Sequence, residues 1–412
     1  MNQPARRPLV LVYLAVFGGY FGQQMIMPIL PPLARELRLS EVHLGLVMTV
    51  AAAIVVLASP FWGRRSEALG RKPVIVMGLA GAILGLTGFA VVTKFGLDGR
   101  WSLPVLFGLI LVSRSFLFGG FMAAIPVAAQ TYVADVTSDE KSRVRGLSLI
   151  GAVTGLALVL GPAIGGLLGR FGLLIPLYVA PAALVPLAVL VALRLPAEPR
   201  HAERPVVPRL SPFDRRIWPF LVIGFGLFLS LALMQMTIGF LLQDRLGLTS
   251  EQTARTTGFA LLCAGLPMLV MQAAVVPKLG WAPLRMLRVG IPVAIFGFLL
   301  VVPGFGLWSV LVGLGLTGVG YGLAVPGYTS APTMLVERNE QSGLAGLLGA
   351  TTALTFVFGP VVGTSLYQVW PVLPYLLAAG LLGVLLVFAL AHSSLRSRDA
   401  VEEEVVAGHP SP

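Results

Sequence analysis

Twelve separate stretches of this 412-residue sequence stay apolar for about 20 residues, the length a helix needs to cross about 30 Å of hydrocarbon. They run over 9–31, 42–62, 73–93, 103–132, 146–169, 171–193, 217–242, 256–277, 284–302, 306–334, 344–369 and 371–391. In lipid every backbone N–H and C=O must be paired internally, so a continuous apolar run of this length is a helix. The expected fold class is all-α and integral to the membrane, with twelve transmembrane helices. Composition agrees: 56% hydrophobic residues, 11% charged residues and a mean hydropathy of +0.88 put the chain outside the range of soluble globular proteins.

Twelve spans put both termini on one side. Of the 29 Lys and Arg residues, 21 fall on that side, seven on the other, and Arg114 lies inside a span. The positive-inside rule then predicts a multi-pass protein of the cell membrane with both termini cytoplasmic. The net charge of +11 follows the same pattern, since its basic residues form short clusters between apolar runs. That is how loops facing an anionic leaflet read, and it argues against a nucleic-acid surface. The single cysteine, Cys263, lies in an apolar run, and His43, His201, His392 and His409 are scattered. Neither a disulfide framework nor a metal site is expected, and no cofactor. The first run follows Arg6-Arg7, but it is long, carries Tyr20, Gln23 and Gln24 and has no small-residue cleavage site, so it reads as a retained span and not a signal peptide.

The two halves of the sequence repeat. Gly120-Phe-Met-Ala-Ala-Ile-Pro126 returns 200 residues later as Gly320-Tyr-Gly-Leu-Ala-Val-Pro326. Gly151…Gly161-Pro162-Ala-Ile-Gly165-Gly166 returns at an offset of 198 as Gly349…Gly359-Pro360-Val-Val-Gly363-Thr364. Two blocks at nearly one offset argue for a duplicated six-helix unit. The expected organisation is a six-helix bundle over 1–195, a Pro-, Arg- and Glu-rich cytoplasmic linker over 196–216, a second bundle over 217–392 and a disordered tail over 393–412. Transporters built this way hold substrate near the midplane and alternate access by rocking one half against the other.

Between the second and third runs lies the densest charge in the chain, Gly63-Arg64-Arg65-Ser66-Glu67-Ala68-Leu69-Gly70-Arg71-Lys72, which reads as a charged hinge outside the bilayer. It resembles a signature of the major facilitator superfamily, Gly-x-x-x-Asp-Arg-x-Gly-Arg-Lys between the second and third helices. Gly63, Gly70, Arg71 and Lys72 match; Glu67 replaces the Asp and Ala68 the Arg. On the fifth run Gly161-Pro162-x-x-Gly165-Gly166 is similar to the Gly-Pro-x-x-Gly-Gly signature of that superfamily's drug:proton antiporters, with Ala157 where a glycine is expected. Physically, Gly151, Gly155, Gly161, Gly165 and Gly166 allow close helix approach and Pro162 removes a backbone hydrogen bond.

Arg114 is the one formal charge well inside a span, where an unpaired Arg costs about 2.5–3.5 kcal/mol on translocon scales. It resembles the first residue of the family's fourth-helix pattern Arg-x-x-x-Gly-x-Gly, with Gly120 matching and Phe118 in place of a glycine; the resemblance implies a role in proton coupling. Its charge alone would equally allow contact with an anionic substrate, or with backbone carbonyls and a neighbouring helix.

Polar residues elsewhere fall on single faces: Tyr20, Gln23, Gln24 and Met27 on the first span, Met234, Gln235 and Ile238 on the seventh, Gln272 on the eighth, Tyr321 and Tyr328 on the tenth. In the resembling family the first, fourth, seventh and tenth spans line the central cavity. A cavity edged by these residues with Phe118, Phe121 and Met122 suits a bulky, partly apolar solute, because Met and aromatic surfaces adapt while amides orient. All eighteen acidic residues fall in loops or at helix ends, so no carboxylate at mid-membrane is available to carry a proton. Asp135, at the cytoplasmic end of the fourth span, is placed to pair with Arg71 or Arg64, as a similarly placed acid does in the family, and with Glu67 to form a gate.

The functional expectation is a monomeric secondary transporter of drug:proton antiporter type, exporting a small amphipathic compound with protons and the bilayer as its partners. Export of an anionic metabolite such as a carboxylate siderophore is the alternative. An integral-membrane enzyme or receptor is the rival class. Bilayer enzymes need carboxylate, His or Cys clusters at membrane depth, which the sequence does not offer. It also contains no Gly-x-x-x-x-Gly-Lys loop, which argues against an ATP-driven pump.

Overall fold

The structure is a computed structural model that describes residues 3–137, 140–196, 210–337 and 340–392. Most of the expected linker, 197–209, and the expected tail, 393–412, lie outside the described residues.

Twelve helices are long and apolar enough to cross a membrane among the described residues. They are α1 (Pro8–Glu36), α2 (Glu41–Leu69), α3 (Arg71–Leu97), α4 (Leu103–Val136), α5 (Ser142–Gly169), α6 (Leu174–Arg194), α7 (Trp218–Leu246), α8 (Ser250–Leu279), α9 (Pro283–Val301), α10 (Leu307–Met334), α11 (Gln341–Val369) and α12 (Leu373–Ala391). No strand occurs among the described residues. Each helix contains the apolar run expected for it, extended or trimmed by a few residues. The largest extension corrects the hinge. Gly63 to Leu69 is not a loop but the last two turns of α2, because hydropathy marks where a helix leaves lipid and not where it stops. Arg, Glu, Ala and Leu all favour the helix there. It stops at Gly70, whose φ of +95° a side chain would strain, and Arg71 begins α3 directly.

Three spans depart from regular α-geometry. α1 tightens to a 3₁₀ turn at Met27–Ile29, around Pro28. α4 is π-helical over Leu111–Gly119 and α8 over Met271–Val275. Such bulges are frequent at functional sites, and these two carry Arg114 and Gln272.

By internal packing the chain divides into two compact units. One holds α1 to α6 with Ile238–Leu262; the other holds the earlier part of α7, to Thr237, with the chain from Cys263 onward. In the first unit α1 packs on α5 and α6, α3 packs on α4 and α6, and α2 packs on α4. In the second, α9 packs on α10 and α12, and α11 on α12, so the α3–α4–α6 arrangement returns as α9–α10–α12. Glycine makes the α3–α4 contact possible: Gly78, Gly81 and Gly85 form a stripe into which Ile125, Phe121 and Phe118 fit. Side chains left exposed along the spans, such as Leu57, Leu193, Val384 and Val387, are apolar and suited to lipid.

Candidate functional site

The charged end of α2 and α3 is organised around Arg71. Its guanidinium is 7% exposed, its Nη1 donates to the carbonyl of Ser66 at 3.3 Å, and its Nε stands 2.6 Å from Oδ2 of Asp135 at the end of α4. The Nε–H is not aligned with that oxygen, so the pair is a close charge contact and not a directed hydrogen bond. Of the two partners expected for Asp135, the structure selects Arg71. Lys72 is half-buried, while Arg64 and Glu67 are exposed on the last turns of α2. Gly63 meets Val127 of α4 at van der Waals distance.

Arg114 is 1% exposed and lies inside the first unit. Its Cζ stands 4.5 Å from the ring centroid of Phe118, one turn on, a cation–π contact. Phe118 fits there because Gly85 leaves it room. This is what the departure from the family's fourth-helix glycine does: the aromatic ring covers one face of the guanidinium. Nε and Nη2 make no hydrogen bond to any described residue. The neighbouring hydroxyls are committed elsewhere, Ser115 to the carbonyl of Val47 at 2.7 Å and Ser113 to that of Leu109 at 2.8 Å.

The polar faces are split by burial. Tyr20, Gln23 and Met27 of α1 are half-exposed, as are Gln235 and Gln272 in the second unit. Gln24 is buried against Gly161 of α5, and Met122 lies against Gly19 of α1. Phe121 packs over Gly81, with its ring 5.4 Å from that of Trp62. Met234 is buried. Tyr321 donates its hydroxyl to the carbonyl of Leu227 at 2.8 Å, and Tyr328 sits edge-on to Phe228.

The glycines of α5 face different neighbours. Gly161 and Gly165 lie against Gln24 and Met25 of α1, so close at Gly165 that an added methyl would run into the carbonyl oxygen of Met25. Gly166 meets Gly258 of α8, where an added methyl would stand 2.7 Å from its Cα. Gly258 in turn lies against the carbonyl of Pro162. Gly151 has open space around it, and Gly155 is half-exposed. In the second unit Gly359 and Gly363 of α11 lie against Ala232 and Leu233 of α7. The repeat seen in sequence is therefore also a repeat of one helix contact.

Two charge clusters escaped the sequence reading. At the far end of α1 from the chain's start, Arg35 donates from Nη2 to Asp244 at 2.8 Å and to Glu41 at 3.2 Å, from Nη1 to Gln243 at 3.3 Å, and lies over the ring of Phe240. In the second unit Arg216 bridges Asp214 at 2.8 Å and Glu340 at 2.9 Å. The signal for the first was available: α1 and α7 are repeat partners that end in charges of opposite sign.

The family model of the Major Facilitator Superfamily matches residues 12–333. The chain belongs to that superfamily. Among major facilitator relatives, it is 29% identical over 376 residues to the tetracycline resistance protein, class G, of Vibrio anguillarum, covering 88% of this chain and 91% of the relative. It is 26% identical over 381 residues to multidrug resistance protein 2 of Bacillus subtilis (strain 168), covering 90% and 91%. Among solved structures, a mutant of the nucleoside transporter NupG aligns over 94% of this chain and 100% of its own with a TM-score of 0.71 at 15% identity. A bacterial homologue of the human lysosomal transporter Spinster, in an inward-facing and occupied conformation, aligns over 100% of both chains with a TM-score of 0.67 at 14% identity. At those identities the likeness is one of fold. As a major facilitator protein the chain is a multi-pass membrane transporter of a small-molecule substrate and not an enzyme.

Proposed function

We propose that this transporter exports a small amphipathic compound, of the kind a tetracycline represents, from the cytoplasm in exchange for protons. The observation that carries this is the likeness, over about nine-tenths of both chains, to tetracycline and multidrug resistance proteins. The half-exposed residues support it: Tyr20, Gln23, Met27, Gln235 and Gln272 combine amide and phenol groups with adaptable apolar surface, which suits a solute that is polar at one edge. We assign substrate contact to these five, and packing to Gln24, Phe118, Phe121, Met122, Met234, Tyr321 and Tyr328. Export of an anionic metabolite has less support, because the one cation deep within a span, Arg114, is 1% exposed.

In this reading the halves 1–195 and 217–392 are the rocking bodies, the protein works as a monomer in the cell membrane, and both termini are cytoplasmic. Arg71–Asp135 is then the cytoplasmic gate, and Arg35 with Asp244 the outer one. Proteoliposomes loaded at one pH and diluted into another test the reading: an imposed proton gradient should drive tetracycline uphill without ATP. Uphill movement with no gradient, or none with it across a panel of amphipathic drugs, would refute it. In a Cys263→Ser background, cysteines near Arg100 and Arg245 should label from outside intact cells, and cysteines in the 196–216 linker should not.

A further inference from the structure

We propose that Arg114 holds a small inorganic anion of chloride size as a resident counterion, distinct from any transported solute. The guanidinium carries its charge permanently at any working pH, and it is 1% exposed. A buried charge must be paired or hydrogen-bonded. Phe118 covers one face of the group, at 4.5 Å, but supplies no hydrogen-bond acceptor. The atoms without partners are Nε and Nη2, whose hydrogens share one edge of the guanidinium plane and form a two-donor fork. The carboxylates of the same unit that pair with an arginine do so elsewhere: Asp135 with Arg71, Glu41 and Asp244 with Arg35.

Arg114 also lines a cavity. Leu33 and Leu37 of α1, Met48 of α2, Phe89 of α3 and Ile110 of α4 enclose it, with a volume of about 20 Å³. A cavity needs roughly 10–15 Å³ by this measure to hold one water-sized species. The space therefore accepts a monatomic anion and is too small for a carboxylate-bearing metabolite. A water would satisfy one donor but leave the charge uncompensated among apolar walls. The π-helical stretch Leu111–Gly119 carries Arg114 in this setting. A chloride-sized ion on the Nε–Nη2 edge satisfies both donors and neutralises the site.

Binding is read without substrate or proton gradient, so its failure leaves the transport reading untouched. The full-length purified protein is unfolded thermally in sodium chloride, sodium bromide and sodium gluconate at matched ionic strength. Chloride and bromide should each raise Tm over gluconate by about 3 °C or more. Arg114→Gln should show no halide shift, and Arg114→Lys should keep part of it. Crystals of the parent soaked in bromide should show anomalous density within about 3.5 Å of the guanidinium edge, a readout that stands even if the variants do not fold. Equal Tm in all three salts, a full halide shift in Arg114→Gln, or bromide density absent from Arg114 would each overturn the proposal.

Discussion

Arg35 grips Asp244 with both amino groups of its guanidinium, joining the end of α1 to the end of α7 across 209 residues of sequence. Asp244 is 39% exposed, so solvent screens the pair and it contributes little to folding. Its effect belongs to the balance between conformations. Asp244→Asn keeps the shape and removes the charge, and should shift that balance by about 1 kcal/mol, roughly fivefold. A cysteine placed at Gln243 should then react severalfold faster with a membrane-impermeant thiol reagent in intact cells. Unchanged reactivity would mean that the pair is only a surface contact.

The Arg71–Asp135 contact is the more buried of the two, with side-chain exposures of 7% and 18%. Removing one partner leaves the other desolvated, at a cost of about 1–3 kcal/mol. Asp135→Asn and Arg71→Ala should lower transport more than they lower the amount of folded protein in the membrane. The exchanged pair Arg71→Asp with Asp135→Arg should recover part of the activity. Equal loss of transport and of folded protein would mark the contact as structural.

Glycine positions on α5 should separate sharply. Gly165→Ala sets a methyl against the Met25 carbonyl and should destabilise the first unit by about 1–3 kcal/mol, read as a lower Tm. Gly151→Ala meets open space and should leave Tm and transport unchanged. A Gly165→Ala variant as stable as the parent would show that α1 and α5 can part at no cost.

The Arg216 cluster predicts a pH dependence. Hydrogen bonds from the Arg216 side chain hold the carboxyl groups of Asp214 and Glu340 below their ordinary values of 3.8 and 4.5. A depressed carboxyl pKa stabilises the fold at pH above the ordinary value, and that contribution is lost as pH falls through the lowered one. Arg216→Gln should therefore lower Tm at about pH 6, and the difference from the parent should vanish towards about pH 3. Because the groups are exposed, high salt should also shrink it. A difference independent of pH would assign the effect to packing.

Much of this was legible from hydropathy and charge alone. Apolar runs marked all twelve spans because lipid imposes the same demand on each, and Asp135 could be placed opposite Arg71 because both are charges at helix ends on one side. What periodicity cannot supply is the neighbour that a face meets. The positions of Phe118 and Phe121 were visible, but not the glycine stripe on α3 that receives them, which lies 33 or more residues earlier. The π-helical stretches around Arg114 and Gln272 were equally hidden, since a wider helical turn leaves composition unchanged. Arg35 and Asp244 were read as separate loop charges because the ends of α1 and α7 were never compared.

Gly70 is the one residue that separates α2 from α3. Its consequence is mechanical. A flexible loop would let a pull on Arg71 dissipate in backbone rotation, but here the guanidinium is anchored to the first residue of a 27-residue helix, and its Nη1 to the last full turn of a 29-residue one. The two helices are rods of about 40 Å joined by a single-residue elbow. When the grip on Asp135 breaks, the displacement has nowhere to go except along the rods, so a charge exchange at one face of the membrane is delivered as a tilt at the other.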